Sequence, residues 1–257
     1  MGEGEAVQPM LQETRLIMGM PICVAISGAT ATAADLEASF DCFVQADGRF
    51  SPFRSDSELS RLNRGELALQ DFSSQMREIL QLAEQTRIDS DGYFDVRRPA
   101  GTIDPCGIVK GWSIREAART LSKRGLRNFF INAGGDIQAF GQNEKGGDWR
   151  VGIRNPFRAD EIVKVLLPRG AGVATSGTYL RGAHIYNPHT PDALAGDIVS
   201  LTVIGPDILE ADRFVTAAFA MGEGGIDFIQ RVDGLEGYQI DSQGMARMTS
   251  GLGRYLS

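Results

Sequence analysis

The sequence predicts an α+β fold, with mixed or antiparallel sheets flanked by helices. Short apolar, β-branched runs alternate with helix-periodic segments, but without the regular strand–helix–strand spacing of a doubly wound sheet. In NFFINAGGDIQAFG, two such runs are joined by a tight turn rather than by a helix. The 257 residues are 42% hydrophobic and 23% charged, which is enough apolar material for a sizeable core. Residues 1–14 read as a disordered N-terminal lead, and 15–257 as a single domain.

In chain order, RLIMGMPICVAIS (15–27) reads as a strand pair or one interrupted strand. Residues 33–47 place Leu36, Phe40, Phe43 and Val44 at helical spacing. FSPFRSDSELSRLN mixes turn residues with a short helix, and Ser55–Glu58 has the capping-box form. Residues 73–90 form an amphipathic helix with Met76, Ile79, Leu80 and Ala83 on one face. DSDGYFDVRRPAG is loop-like. IDPCGIVKGW leads into the helix SIREAARTLSKRG, which Gly125 can terminate. WRVGIRNP, EIVKVLLP, AGVATSGTYLRG and IVSLTVIGP follow as strands. ILEADRFVTAAFAMG and DFIQRV are helical, and GYQID and GMARMTS close the chain as short strands.

The net charge of −7 argues against a nucleic-acid-binding surface. Cys23, Cys42 and Cys106 are odd in number and far apart, so they outline neither a disulfide framework nor a metal-ligand spacing. With His184 and His189 as the only histidines, a Cys/His zinc site is not expected. The N-terminus carries acidic residues where a secretory signal would be basic, and no stretch approaches the roughly 20 apolar residues of a membrane span. A cytoplasmic protein with no membrane partner is the expectation.

Four segments can carry chemistry. The INAGGD turn is either a plain hairpin turn or a backbone that approaches a ligand closely. DPCGIVKGW sets an acid, a glycine and Lys110 at a helix entrance, where amides and an ammonium suit an anion; a simple helix start is the alternative. Asp212 and Thr216, four apart on a helix, suit a hard cation such as Mg²⁺, or Asp212 is a first-turn acid favoured by the helix dipole. His184 is a general base or a packed histidine, and His189 reads as a solvated loop residue.

Taken in order, MGM, SPFRSDSELSRLN, DGYFD, IDPCGIVKGW, INAGGDIQAFG, WRVGIRNP, ATSGTY, HIYNP and ADRFVTAAF resemble the successive motifs of the FAD:protein FMN transferases, the ApbE-like flavin transferases, over about residues 15 to 222. The resemblance implies an ApbE-like fold and Mg²⁺-dependent transfer of FMN from FAD to a Thr or Ser hydroxyl of an acceptor protein, with release of AMP. It implies FAD contacts at Met18, Phe53, Asn63, Tyr93, Phe94, Asp95, Asp104, Lys110 and Ile185. It implies Mg²⁺ ligands at Asp212, Thr216 and the Gly107 carbonyl, and His184 as the group that activates the acceptor hydroxyl. Asn187 stands where the family usually has aspartate, and Arg115 where an acid is common. A Mg²⁺-dependent FAD pyrophosphatase and a non-catalytic flavin-binding protein remain alternative readings.

Overall fold

The chain opens with a hairpin, β1 (Met10–Ile17) and β2 (Met20–Ser27), closed by Met18 and Gly19 with φ of 55° and 71°. Positive φ at both central positions gives the turn whose twist suits paired strands. The computed structural model describes residues 8–98, 101–178, 188–189 and 197–257. Strand β1 begins at Met10, so the expected disordered lead is too long by its last five positions. The strand pair expected over 15–27 is present, but most side chains of β1 are exposed, so hydrophobicity did not mark its first five residues; backbone pairing from Met10↔Ser27 to Ile17↔Met20 orders the whole strand.

The helices are α1 (Ala33–Phe50), α2 (Glu58–Asn63), α3 (Ser74–Asp89) and α4 (Cys106–Lys123), followed after β8 by α5 (Ile208–Ala220) and α6 (Gly225–Arg231). Leu36, Phe40 and Phe43 turn inward on α1 as their spacing predicts, whereas Val44 is exposed. Ser57, not Ser55, caps α2, because its hydroxyl accepts from the Ser60 amide. The α4 helix starts at Cys106, so CGIVKGW forms its first two turns rather than a lead-in.

The remaining strands are β3 (Phe129–Ala133), β4 (Asp136–Phe140), β5 (Val151–Asn155), β6 (Arg158–Leu166), β7 (Gly172–Gly177), β8 (Ile198–Gly205), β9 (Glu236–Asp241) and β10 (Ala246–Met248). Among the described residues, eight of the ten strands form one sheet in the order β1-β2-β3-β4-β7-β8-β9-β10, with every neighbouring pair antiparallel. β5 and β6 make a separate hairpin.

Both faces of the sheet are covered, so successive side chains of the central strands enter different cores. Ile22, Val24, Ile26, Ile131, Leu201 and Val203 meet α1, α4 and α5 through Phe40, Ile114 and Phe214. On the other face, Ile137, Ala139, Val173 and Ile204 meet Val151, Ile153 and Leu166 of the β5–β6 hairpin. A further core, with Phe50, Leu59, Met76, Ile79, Trp112 and Leu209, joins α2 and α3 to the outer side of the helix layer. Arg115 sits in this layer and pairs with Glu78 across to α3 at 3.0 Å. Among the described residues, no helix is long and apolar enough to cross a membrane, and the three cysteines are free thiols.

The start of α1 is fixed by Asp35, whose carboxylate accepts from the Thr32 amide at 2.8 Å, the Thr32 hydroxyl at 2.7 Å and Arg124 Nε at 2.5 Å. The Thr32 hydroxyl, with help from Arg124 and against the effect of burial, holds this carboxyl below the usual range. A depressed folded value stabilises the fold above the unfolded carboxyl pKa of about 3.9, and that stability is lost as pH falls through the folded value. Asp35→Ala should therefore lower the unfolding free energy by about 1–2 kcal/mol at neutral pH. Urea titrations across a pH series should show the gap between the two proteins closing below about pH 4.

Candidate active site

The site is built where α4, α5, β4 and β7 converge. Strand β4 reads DIQAF. Its apolar Ile137 and Ala139 face the β5–β6 hairpin, so Asp136 and Gln138 face the helices. Both polar side chains are buried. Gln138 Oε1 accepts from the Ile208 amide at 3.0 Å, and its amide nitrogen donates to the Gly170 carbonyl at 2.8 Å. The first turn of α5 is thereby tied to the sheet, with Asp207 as its cap.

Asp212 lies one turn further along α5, in the second turn, where the dipole of the helix start contributes little. The first-turn acid is Glu210, so the simple capping account of Asp212 does not hold. Asp212 is 2% exposed and accepts from the Gly111 amide at 2.7 Å. Gly111 makes this possible because a Cβ there would lie 2.7 Å from Asp212 Cβ and 3.0 Å from the Ile208 carbonyl oxygen. In a regular helix the Gly111 amide points at the Gly107 carbonyl. The Gly111 amide also donates to Asp212, and a carbonyl oxygen such as that of Gly107 has a second lone pair.

One ammonium serves two buried acids. Lys110 Nζ is 2.5 Å from Asp136 Oδ2 and 3.6 Å from Asp212 Oδ1. Burial drives the Asp212 carboxyl up to about 7; Lys110 and the Gly111 amide oppose the rise, and Asp136 adds to it. The arrangement has more negative than positive charge and is sheltered from water, which favours a cation.

A cleft of about 440 Å³ opens over this cluster. Of the residues singled out in the sequence, Phe53, Tyr93, Phe94, Asp95, Asp104, Gly107, Lys110, Asp212 and Thr216 line it. Phe53 is 95% exposed at the rim. The Phe94 ring lies against Gly107, where a Cβ would come within 2.9 Å of it. Asp104 bonds Arg98 Nη2 at 2.6 Å and the Cys106 amide at 3.1 Å. Burial works to raise the Asp104 carboxyl, but the Cys106 and Arg98 contacts outweigh it and hold the group below the usual range.

Two of the expected FAD contacts stand back from the cleft lining. Met18 sits in the β1–β2 turn and packs between two cores. Asn63 exchanges two hydrogen bonds with the Ile103 backbone, at 2.9 and 2.8 Å, and so anchors the segment leading to Asp104. His184, Ile185 and Asn187 lie outside the described residues. His189 is exposed as expected, yet it packs edge-on against Tyr93 and its Nε2 lies 2.9 Å from the Asp91 carbonyl oxygen.

Sequence reasoning missed Asp136, Gln138, Arg98 and the Thr175–Gly177 wall of the cleft. The signal for Asp136 was available in the INAGGD turn, but reading DIQAF as a strand does not say whether its polar positions are buried.

A family model described as the ApbE family matches residues 18–98 and 96–239. The chain belongs to the ApbE family. Among its relatives, the FAD:protein FMN transferase of Escherichia coli K12 is 29% identical over 161 residues, 59% of this chain and 46% of that protein. The enzyme of the same name from Vibrio cholerae is 32% identical over 130 residues, 47% of this chain and 39% of that protein. The chain thus aligns with about half the length of the curated ApbE relatives it matches. In three dimensions, the flavin transferase ApbE from V. cholerae superimposes with a TM-score of 0.86 at 20% identity, over 97% of this chain and 100% of that one. The ApbE protein from Thermotoga maritima gives the same TM-score and coverage at 19% identity. These likenesses establish an ApbE fold of helices on antiparallel sheet.

The contact between α4 and α5 is testable. Gly111→Ala forces a methyl into Asp212 and the Ile208 carbonyl, and should cost about 1–3 kcal/mol in denaturant unfolding. Unchanged stability would mean that the two helices separate freely at this point.

Proposed function

We propose that the chain binds FAD in the cleft and transfers its FMN portion to a Thr or Ser hydroxyl of an acceptor protein, releasing AMP. The observation that carries the reading is the buried Asp136–Lys110–Asp212 cluster at the floor of a cleft of about 440 Å³, in a chain of the ApbE family. An ammonium and the amides of the α4 start suit a pyrophosphate, and Phe53, Tyr93 and Phe94 offer aromatic surface to a flavin.

The donors present also suit Mg²⁺. Asp212 supplies a buried carboxylate, and Gly107 supplies a carbonyl without a side chain to shield it. Thr216 gives its hydroxyl proton to the Asp212 carbonyl oxygen at 3.0 Å, which leaves oxygen lone pairs for a cation. Among the described residues, no group of three or more His, Cys, Asp or Glu side chains converges on a single point. A site with one carboxylate and neutral oxygens, completed by water and phosphate, is the kind Mg²⁺ accepts. When bound, Mg²⁺ would neutralise charge on the pyrophosphate oxygens.

The chain's own groups divide the remaining work. Lys110 holds the pyrophosphate. The aromatic residues hold the flavin and exclude water from it. His184, assigned from the family resemblance, takes the proton of the acceptor hydroxyl. The hydroxyl oxygen bonds to the FMN-side phosphorus as the bond to the AMP oxygen breaks, so FMN ends as a phosphoester and AMP leaves.

Two variants test this. Asp212→Asn should weaken Mg²⁺ binding in calorimetry and reduce AMP release roughly a hundredfold or more. Full AMP release at ordinary Mg²⁺ would sink the assignment. His184→Ala should keep its melting temperature and FAD affinity while transfer to the acceptor falls by roughly 10²–10⁴. Loss of stability in step with activity would instead identify a packed histidine.

A further inference from the structure

We infer that Asp136 is a positioning residue, which fixes the Lys110 ammonium where it can meet a dinucleotide's pyrophosphate. This rests on the FAD reading of the cleft. Asp136 is 1% exposed and stands at the first position of β4, directly after the Gly134–Gly135 turn. Its two oxygens have separate tasks. Oδ1 accepts from the Thr175 amide at 3.0 Å, which joins β4 to the part of β7 that walls the cleft. Oδ2 meets Lys110 Nζ at 2.5 Å, closer than Asp212 does at 3.6 Å.

A lysine side chain is long and has several rotatable bonds, so an anion pays heavily in entropy to order it. Lys110 starts from α4, and its side chain is 19% exposed at the cleft floor. The Asp136 carboxylate orders it in advance from the opposite side. Without that carboxylate, the nearest acid among the described residues is Asp212, and an ammonium that moved onto Asp212 would leave the position that Asp136 gives it and shift toward α5.

Replacing Asp136 with asparagine separates the two tasks. The side-chain carbonyl of Asp136→Asn still accepts from Thr175, so the wall is kept, while the charge that holds Lys110 is lost. The experiment is a double-mutant cycle on FAD affinity, read by flavin fluorescence with divalent cations chelated. It uses the full chain as wild type, Asp136→Asn, Lys110→Met and the double variant, with riboflavin as the probe lacking phosphate.

Asp136→Asn should weaken FAD about tenfold when Lys110 is present, and less than about twofold in the Lys110→Met background. Riboflavin affinity should change less than about twofold throughout, since it offers the ammonium no anion. Equal losses of FAD affinity in both backgrounds, no loss in either, or an equal loss for riboflavin would overturn the inference and make Asp136 a support of the cleft wall. Should the wild type bind no FAD, the functional reading itself fails. The melting temperatures of the same four proteins without ligand then decide the point: non-additive shifts support the Asp136–Lys110 linkage, and additive shifts overturn it.

Discussion

Two buried carboxylates share one half-buried ammonium beneath the helix layer, and much of the structure is arranged around that difficulty. Removing such charges from water is costly unless each finds a partner. Asp212 is satisfied by the Gly111 amide and Asp136 by the Thr175 amide, and Lys110 stands between them. Each partner imposes a demand elsewhere. Gly111 must lack a side chain so that α4 and α5 can touch. Strand β4 must turn its polar positions toward the helices, and so must place Ile137 and Ala139 under the β5–β6 hairpin.

The surroundings are correspondingly firm. Gln138 holds the first turn of α5 to the sheet, and Arg213 ties α5 to α3 through Thr86 and Asp89. The same α3 leads directly into the turn that supplies Tyr93 and Phe94 to the cleft. The helix carrying Asp212 and the loop carrying the aromatic residues are thus anchored to one another away from the cleft. A geometry set in this way does not depend on ligand contacts to form, which favours preorganised binding.

Much of this was legible in the sequence. Helical spacing located α1 and α3, because Phe40, Phe43, Met76 and Ile79 repeat on a single face. The NFFINAGGDIQAFG segment gave its two strands and their turn, since paired glycines at positive φ leave few alternatives. The motif resemblance brought together nine residues that do line one cleft. What stayed hidden had a common physical cause. Periodicity distinguishes apolar from polar, not water from a buried polar partner. The burial of Asp136 and Gln138 therefore could not be read from the strand pattern. The first five residues of β1 were hidden for the converse reason: their order comes from backbone hydrogen bonds, and their side chains are mostly outside. Boundaries were weaker still, as the α4 start shows, because Pro105 and Gly107 look like a loop when read alone.

The place of β2 in the sheet has a consequence for how the chain reaches this structure. Ile26 pairs with Phe129, so neighbouring strands are separated in sequence by α1, α2, α3 and α4. Closing so long a loop costs entropy before any contact repays it, and folds dominated by distant pairings assemble slowly. During synthesis, the β1–β2 hairpin emerges well before β3 exists. Its apolar row of Ile22, Val24 and Ile26 then has only α1 as a possible early cover, through Leu36, Phe40 and Phe43. An N-terminal hairpin shielded by the helix that follows it would give the nascent chain a protected edge on which the rest of the sheet can be laid.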